Sequence, residues 1–155
     1  MKLAEGLINR SFLETRISQI RHRISKNLLV QEGEEPLEDV ESLIEEYMKL
    51  KSELTDLITT IQNANSSNYL IDEKGKETKE TLQEALIRRD GLTALAEGLR
   101  TISSNSVPDM RYSRDEIKLL SVVDPKKYLK KADKISKEAR ELDILIQKTN
   151  WNVEI

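Results

Sequence analysis

The sequence contains no cysteine, few aromatic residues and no long apolar run. The lack of cysteine among its 155 residues excludes disulfide bonds and thiolate metal ligands. No apolar stretch approaches the roughly 20 residues that cross a bilayer, and the chain does not open on an apolar leader. We therefore expect a cytoplasmic protein without a membrane span. Aromatic residues make up 4% of the chain, so its core has to be built from aliphatic side chains.

The chain also lacks an excess of positive charge and has a single histidine. Lys and Arg number 25 against 28 Asp and Glu, and the net charge of -3 provides no broad positive field for a nucleic acid. His22 has no glutamate three residues before it, which a di-iron site in a helical bundle requires. The glycines form no phosphate-binding loop. We expect no nucleic-acid partner, no metal and no cofactor.

Apolar residues at helical spacing are the clearest positive signal. They recur every three or four positions, without a break, at Val40, Leu43, Tyr47, Leu50, Leu54, Leu57, Ile61 and Ala64. This spacing predicts a long helix with a packing seam of the coiled-coil kind. Weaker patterns of the same type predict three more helices, which gives helices at about residues 2–28, 37–64, 81–103 and 125–149.

The length of the chain favours one domain over residues 1–155, and the long helices favour an all-α, elongated antiparallel four-helix bundle. Between the second and third helices, Asp72-Glu73-Lys74-Gly75 predicts a small hairpin, and Thr81 with Glu84 has the spacing of a capping box at the start of the third helix. Ser104 to Val123 joins the third helix to the fourth. Pro108 excludes a helix interior there, and Val122-Val123 predicts an extended cover segment over one end of the bundle.

Three charged residues, Arg10, Arg89 and Asp143, interrupt the apolar patterns at similar depth from one end of the bundle. Because an unpaired buried charge is costly, we predict that they form a buried ionic layer, in which Asp56 is a further candidate. Such a layer is either a structural network or a site for a small anion. The candidate ligand-binding residues of this layer are Arg10, Arg88, Arg89, Asp90 and Asp143.

Arg111, Tyr112 and Arg114 form a second polar candidate. Two arginines around a tyrosine supply donors suited to an anion or to the carboxylates of a partner. The alternative is that this segment pairs internally with its own acidic residues, Asp109, Asp115 and Glu116.

A set of acidic residues matches the carboxylate spacing of all-α nucleotide pyrophosphohydrolases, which hold magnesium against a triphosphate. The set comprises Glu34, Glu35, Glu38, Glu53 and Asp56. The unbroken seam places Glu38 and Asp56 about 27 Å apart along one helix, too far for one metal ion. This spacing predicts no metal site.

Five short motifs follow one another along nearly the whole chain. They are Met1-Lys2-Leu3-Ala4-Glu5-x-Leu7, Val30-Gln31-Glu32-Gly33-Glu34-x-Pro36, Leu86-x-Arg88-Arg89-Asp90, Arg111-Tyr112-Ser113-Arg114-x-Glu116-Ile117-Lys118 and Glu141-Leu142-Asp143-x-x-Ile146-Gln147-x-Thr149-Asn150-Trp151. In combination they resemble the septicolysin-like family of bacterial proteins. The resemblance implies a small helical bacterial protein of uncharacterised function, and the family name suggests a cytolysin.

Two classes of function remain from the residues themselves. The first is an oligomeric scaffold or interaction protein, most simply a homo-oligomer, whose polar ends and Ser104 to Val123 segment contact partners. The second is a protein that binds a small anion or a nucleotide-like ligand at the polar layer, with or without catalysis. No residue can be assigned a catalytic role, and lytic activity is a distant third alternative.

Overall fold

The computed structural model describes residues 1–108 and 117–155. In these ranges the chain forms four helices and one antiparallel two-stranded sheet, which confirms the predicted number of helices and makes the fold mostly helical rather than all-α. In chain order the elements are α1 (Leu3–Asn27), α2 (Val40–Ser67), β1 (Tyr69–Ile71), β2 (Glu77–Thr81), α3 (Leu82–Asn105) and α4 (Pro125–Asn150).

The chain divides into two compact units, which are described one at a time. Unit 1 consists of Met1–Asn68 with Thr149–Ile155, and unit 2 of Tyr69–Lys148. The single four-helix bundle domain remains a prediction.

In unit 1, α1 packs against α2 through an aliphatic core. The buried members of this core are Leu13, Ile20, Leu50 and Leu54, and partly buried side chains including Ile17, Ile24 and Tyr47 surround them. α2 is one continuous helix from Val40 to Ser67 and buries five residues of the predicted seam: Leu43, Leu50, Leu54, Ile61 and Ala64.

The start of α2 differs from the predicted one. The predicted helix started at about residue 37, but the helix begins at Val40. Asp39 is the N-cap, because its carboxylate accepts hydrogen bonds from the backbone N–H of Glu41 and the hydroxyl of Ser42. A capping side chain therefore fixes the boundary three residues beyond the predicted start.

The two ends of the chain meet within unit 1. The backbone N–H of Leu3 donates to the carbonyl of Val153 at 2.9 Å, and that of Ile155 donates to the carbonyl of Met1 at 2.8 Å. Gly6 lies directly beneath this contact, since a Cβ atom built on it would stand 2.5 Å from Cδ1 of Ile155. The missing side chain of Gly6 therefore makes room for the C-terminal residue.

In unit 2, the predicted hairpin is present and leads directly into α3. β1 and β2 pair antiparallel, and Gly75 has a φ of +81° in the turn between them, a conformation that favours glycine. Thr81 and Glu84 form the predicted capping box at the start of α3, with the Thr81 N–H donating to Glu84 Oε2 at 2.8 Å.

The two helices of unit 2 bury small and aliphatic residues. α3 buries Leu82, Ala85, Ala96 and Ser103, and α4 buries Ala132, Ala139, Leu142 and Ile146. Ser103 Oγ donates to the carbonyl of Pro125 at 2.8 Å and so joins the end of α3 to the start of α4. Lys148 Nζ donates to the carbonyls of Asp72 and Glu73 at 3.1 Å, which joins α4 to the hairpin turn.

The extended cover segment predicted for Ser104 to Val123 is wrong where it is described. α3 continues to Asn105, and residues 117–123 form no strand. Ile117 and Val122 are 92% and 97% exposed, so neither side chain is packed against the helices. Residues 117–123 pair with neither β1 nor β2, and the strand preference of their β-branched residues therefore had no effect.

Candidate functional site

A groove of about 500 Å³ lies between α3 and α4 of unit 2. Three arginines line it, Arg89 and Arg100 from α3 and Arg140 from α4, together with the acidic residues Glu97 and Asp143. Apolar contacts come from Ala139 and Ile144 on α4. The groove therefore combines an apolar lining with three cations and two anions.

Arg89 is held by two carboxylates. Its Nη1 donates to Asp143 Oδ1 at 2.8 Å, and its Nε and Nη2 donate to Asp90 Oδ1 at 2.9 and 2.7 Å. These hydrogen bonds, the one with Asp143 first, raise the pKa of Arg89 above its ordinary value, so the guanidinium stays charged. The sequence-predicted partners Arg89, Asp90 and Asp143 are thus brought together in the structure.

The ion pair is not buried as predicted. The Arg89 side chain is 28% exposed and that of Asp143 is 43% exposed. Water reaches both groups, which makes the pair a partly solvated contact between two helices rather than a buried layer.

Arg100 and Arg140 differ in how far the chain itself satisfies them. Arg100 Nη2 donates to Asp133 Oδ1 at 3.1 Å and to Ser136 Oγ at 2.9 Å. Arg140 is exposed and forms no ion pair or hydrogen bond with any of the residues that the structure describes. Within residues 1–108 and 117–155, Arg140 is therefore the groove arginine whose guanidinium has no partner.

Two other predicted candidates have partners outside the groove. Arg88 Nε and Nη2 donate to Glu80 of β2, both at 2.8 Å, and this interaction raises the pKa of Arg88. Arg10 belongs to unit 1, where its Nε donates to Glu14 at 2.9 Å from an exposed position on α1. The predicted burial of Arg10 is wrong.

The error at Arg10 has a geometric cause. The buried residues of α1 include one row at intervals of seven, namely Gly6, Leu13, Ile20 and Asn27. Arg10 lies on the neighbouring row with Ile17 and Ile24, which is only partly covered. Water therefore reaches its guanidinium, and Asp56, the fourth residue suggested for the layer, is exposed as well.

The second polar candidate, comprising Arg111, Tyr112 and Arg114, lies outside the described residues. Its suggested role in binding an anion or a partner stays a prediction.

Sequence reasoning missed four residues of the groove region: Arg100, Asp133, Ser136 and Arg140. A signal for them was available, because Asp133, Ser136, Arg140 and Asp143 follow one another at spacings of three, four and three along α4. This is the same periodicity that identified the apolar seams. Applied to polar residues, it would have placed the four α4 residues, from Asp133 to Asp143, on one face of that helix.

α3 also carries an exposed apolar face, which we call the α3 apolar face. It consists of Ile87, Gly91, Ala94, Leu95, Gly98 and Ile102, all exposed and spaced as neighbours on one side of the helix. Ile87, Leu95 and Ile102 are 63%, 52% and 48% exposed. Large apolar side chains at this spacing normally face a core.

The described part of the chain contains neither a metal-binding cluster nor a membrane-spanning helix. Residues 1–108 and 117–155 contain no cluster of three or more histidine, aspartate or glutamate side chains placed to hold a metal ion. Within the same ranges, no helix is both long and apolar enough to cross a bilayer.

Comparison with known proteins places the chain in a family and gives a structural relative. The model of a family described as a family of unknown function, DUF6847, matches residues 10–155. One crystal structure matches this chain with a TM-score of 0.90 and 32% sequence identity. The match covers 100% of this chain and 98% of the chain in that structure. It is that of a functionally unknown conserved protein from Corynebacterium diphtheriae. No curated protein gives a significant match.

These matches overturn the resemblance to the septicolysin-like family. Neither the matching family nor the structural relative is described as septicolysin-like, so the five motifs were assigned to the wrong family, and the expectation of a cytolysin loses its basis. The motifs contain no catalytic signature that would have distinguished one helical family from another. The chain belongs to the family of unknown function DUF6847.

Proposed function

We propose that this protein is an interaction protein that self-associates through apolar surface outside its core. The observation that carries this proposal is the α3 apolar face. Three of its large aliphatic side chains are about half or more exposed, although they lie on an ordered helix rather than in a loop. Contiguous apolar surface of this kind marks interaction sites in proteins, because leaving it in water forgoes the free energy of burial.

The mass of the protein in solution tests this proposal. Sedimentation velocity over a hundredfold range of protein concentration should show a species of twice the 17.8 kDa chain mass that grows with concentration. A constant mass of one chain over the whole range would contradict self-association.

The groove supports a second candidate function, the binding of a small anion such as a phosphate or carboxylate. Arg140 carries this alternative, because its guanidinium lines the groove without an ion pair to any described residue. Arg89 and Arg100 are fixed by their own carboxylates and add positive charge beside it. An arginine with free donors forms bidentate hydrogen bonds with phosphate and carboxylate groups.

Thermal-shift measurements separate this candidate from self-association. Inorganic phosphate, citrate and ATP should raise the melting temperature at fixed ionic strength if the groove binds anions, and Arg140→Ala should abolish the rise. Arg21→Ala is the matched control, since Arg21 is an exposed arginine on α1 that forms no ion pair with a described residue. Equal shifts for both variants would indicate a general ionic effect instead of a site.

A further inference from the structure

We propose that the α3 apolar face binds the same face of a second copy of this chain, with the two α3 helices antiparallel about a two-fold axis. This inference rests on the self-association proposed above and names its surface and its partner. It follows from the order of residues along the face, the position of its glycines and the charges at its ends.

The face has the same spacing when it is read from either end, and the same residue types at every position except the central Ala94 and Leu95. Along α3 the order is Ile87-x-x-x-Gly91-x-x-Ala94-Leu95-x-x-Gly98-x-x-x-Ile102. In an antiparallel pair with its axis between positions 94 and 95, Ile87 lies opposite the partner's Ile102 and Gly91 opposite the partner's Gly98. The central Ala94 then meets the partner's Leu95. A two-fold interface requires this kind of self-complementarity, in which residue i contacts j and j contacts i.

Among the described residues, no side chain packs against the two glycines of this face. Both lie inside α3 and neither has the positive φ that would require glycine. Among the described residues, a positive φ occurs only at Gly33 and Gly75. A Cβ atom built at Gly91 or Gly98 would meet no atom within 4 Å, whereas one at Gly6 would meet Ile155. Glycine inside a helix is unfavourable relative to alanine. In the dimer, Gly91 opposite the partner's Gly98 allows the two backbones to approach closely while the isoleucines pack at either end.

The charges at the edges of the face are compatible with this arrangement. Arg88 lies opposite the partner's Thr101, and its guanidinium is already paired with Glu80. Glu84, one turn before the face, lies opposite the partner's Asn105. Neither Arg88 nor Glu84 therefore opposes a like charge across the contact.

The size of the face sets the expected strength of the dimer. From Ile87 to Ile102 the helix is about 22 Å long and about 10 Å wide, so a single helix crossing buries less than the roughly 800 Å² per partner of a standard interface. We therefore expect a dimer that dissociates on dilution into the micromolar range rather than a permanent one.

The double variant Gly91→Lys with Gly98→Lys tests the surface without endangering the fold. Lysine has a higher helix propensity than glycine, and both sites open into free space, so the single chain should remain folded with an unchanged circular dichroism spectrum. In the proposed dimer each new lysine meets another at the closest point of approach. Loss of such a central contact should raise the dimer dissociation constant at least about 30-fold in sedimentation equilibrium.

The matched control is Ile8→Lys, which places a lysine on α1 of unit 1. Ile8 is 60% exposed, similar to the 63% of Ile87 on the α3 apolar face. It should leave the dissociation constant within about threefold of that of the unmodified chain, since it lies outside the proposed contact. A drop to a single chain mass in the control would contradict the proposal, because it would place the contact on α1.

A cysteine cross-link gives an independent readout. The chain contains no cysteine, so Leu95→Cys introduces one thiol beside the two-fold axis, and mild oxidation should yield a disulfide-linked dimer. Ile144→Cys, at a position 65% exposed on α4, should stay largely unlinked.

The possible outcomes separate the two levels of the proposal. A folded lysine double variant that still dimerises as the unmodified chain does, or an absence of cross-linking at position 95, would overturn the α3 contact while leaving self-association intact. A chain of single mass at every concentration would overturn both.

Discussion

Two sides of α3 differ in how far the chain itself satisfies them. On the side of the groove, Arg89 and Arg100 each have carboxylate partners within 3.1 Å. On the α3 apolar face, Ile87 and Leu95 remain 63% and 52% exposed on an equally regular helix. The charged side is largely complete within one chain and the apolar side is not, so we expect the interaction with other molecules to begin on the apolar side.

The largest expected effect contrasts a core leucine of α3 with a leucine on its apolar face. Leu82 is 0% exposed, and Leu82→Ala should lower the free energy of unfolding by about 2–5 kcal/mol, because it leaves a cavity. Leu95 is 52% exposed, and Leu95→Ala should cost less than about 1 kcal/mol in the single chain. Urea unfolding at protein concentrations that keep the chain monomeric measures both. Equal losses would show that Leu95 is part of the core, and would remove the distinction between the two sides.

The glycines of the α3 apolar face give the next largest effect, with the opposite sign. Gly91→Ala and Gly98→Ala should each raise the free energy of unfolding of the monomer by about 0.5–1 kcal/mol, since alanine is the better helix former and its Cβ meets no atom. Gly6→Ala should gain less, because its Cβ has to displace Ile155. Chemical unfolding of the three variants at low protein concentration provides the comparison. A loss of stability at Gly91 or Gly98 would show that their surroundings are not open.

Particular residues show what the sequence was able to predict and why the rest escaped it. The seam of α2 could be recognised because helical spacing alone decides which of its side chains meet α1. The Thr81–Glu84 capping box is equally local, and it was recognised for the same reason. The pairing of Arg89 with Asp143 was inferred from two interruptions of apolar patterns, but its partial exposure depends on how closely α3 and α4 approach.

The spacing of residues along a helix did not predict how far their side chains are exposed to solvent. Arg10 was assigned to a buried row, although it lies one row away and is in water. The α3 apolar face escaped notice for the opposite reason, since apolar residues at helical spacing are normally read as core. A sequence pattern shows which residues share a face, but the coordinates are needed to show whether anything covers it.

The charged side of α3 should show an effect of similar size that depends on salt. Asp143→Asn removes the carboxylate charge that Arg89 contacts at 2.8 Å, and because both groups are partly exposed it should cost about 0.5–1 kcal/mol at low ionic strength. In 1 M sodium chloride the difference should shrink, since salt screens exposed charges. Glu14→Gln, which removes the exposed pair with Arg10 on α1, is the control and should cost less. If Asp143→Asn is neutral at low salt, the ion pair does not help to hold the groove.

The smallest expected effect concerns the N-terminal end of α3 in acid. Hydrogen bonds from the backbone N–H and then the hydroxyl of Thr81 lower the pKa of Glu84 below its ordinary value of 4.5. A carboxyl group with a lowered pKa in the folded state adds stability that is fully present above its unfolded pKa and is lost as the pH falls through the folded pKa. The melting temperature of the unmodified chain should therefore decline more steeply below about pH 4.5 than that of Glu84→Gln, which has no charge to lose.

A control variant and an association measurement connect this acid effect to the comparison of the two sides. Glu97→Gln replaces a carboxylate in the middle of α3 that caps no helix. Below about pH 4.5 its melting temperature should decline more like that of the unmodified chain than that of Glu84→Gln does. In the dimer that we propose, Glu84 lies opposite the partner's Asn105 rather than a charge. Glu84 stays ionised between pH 7 and 5 and faces no charge in the dimer. It should therefore cause no change in the dissociation constant over this range. If the melting temperatures of the unmodified chain and Glu84→Gln declined equally with falling pH, the charge of Glu84 would contribute nothing to the stability of the folded state.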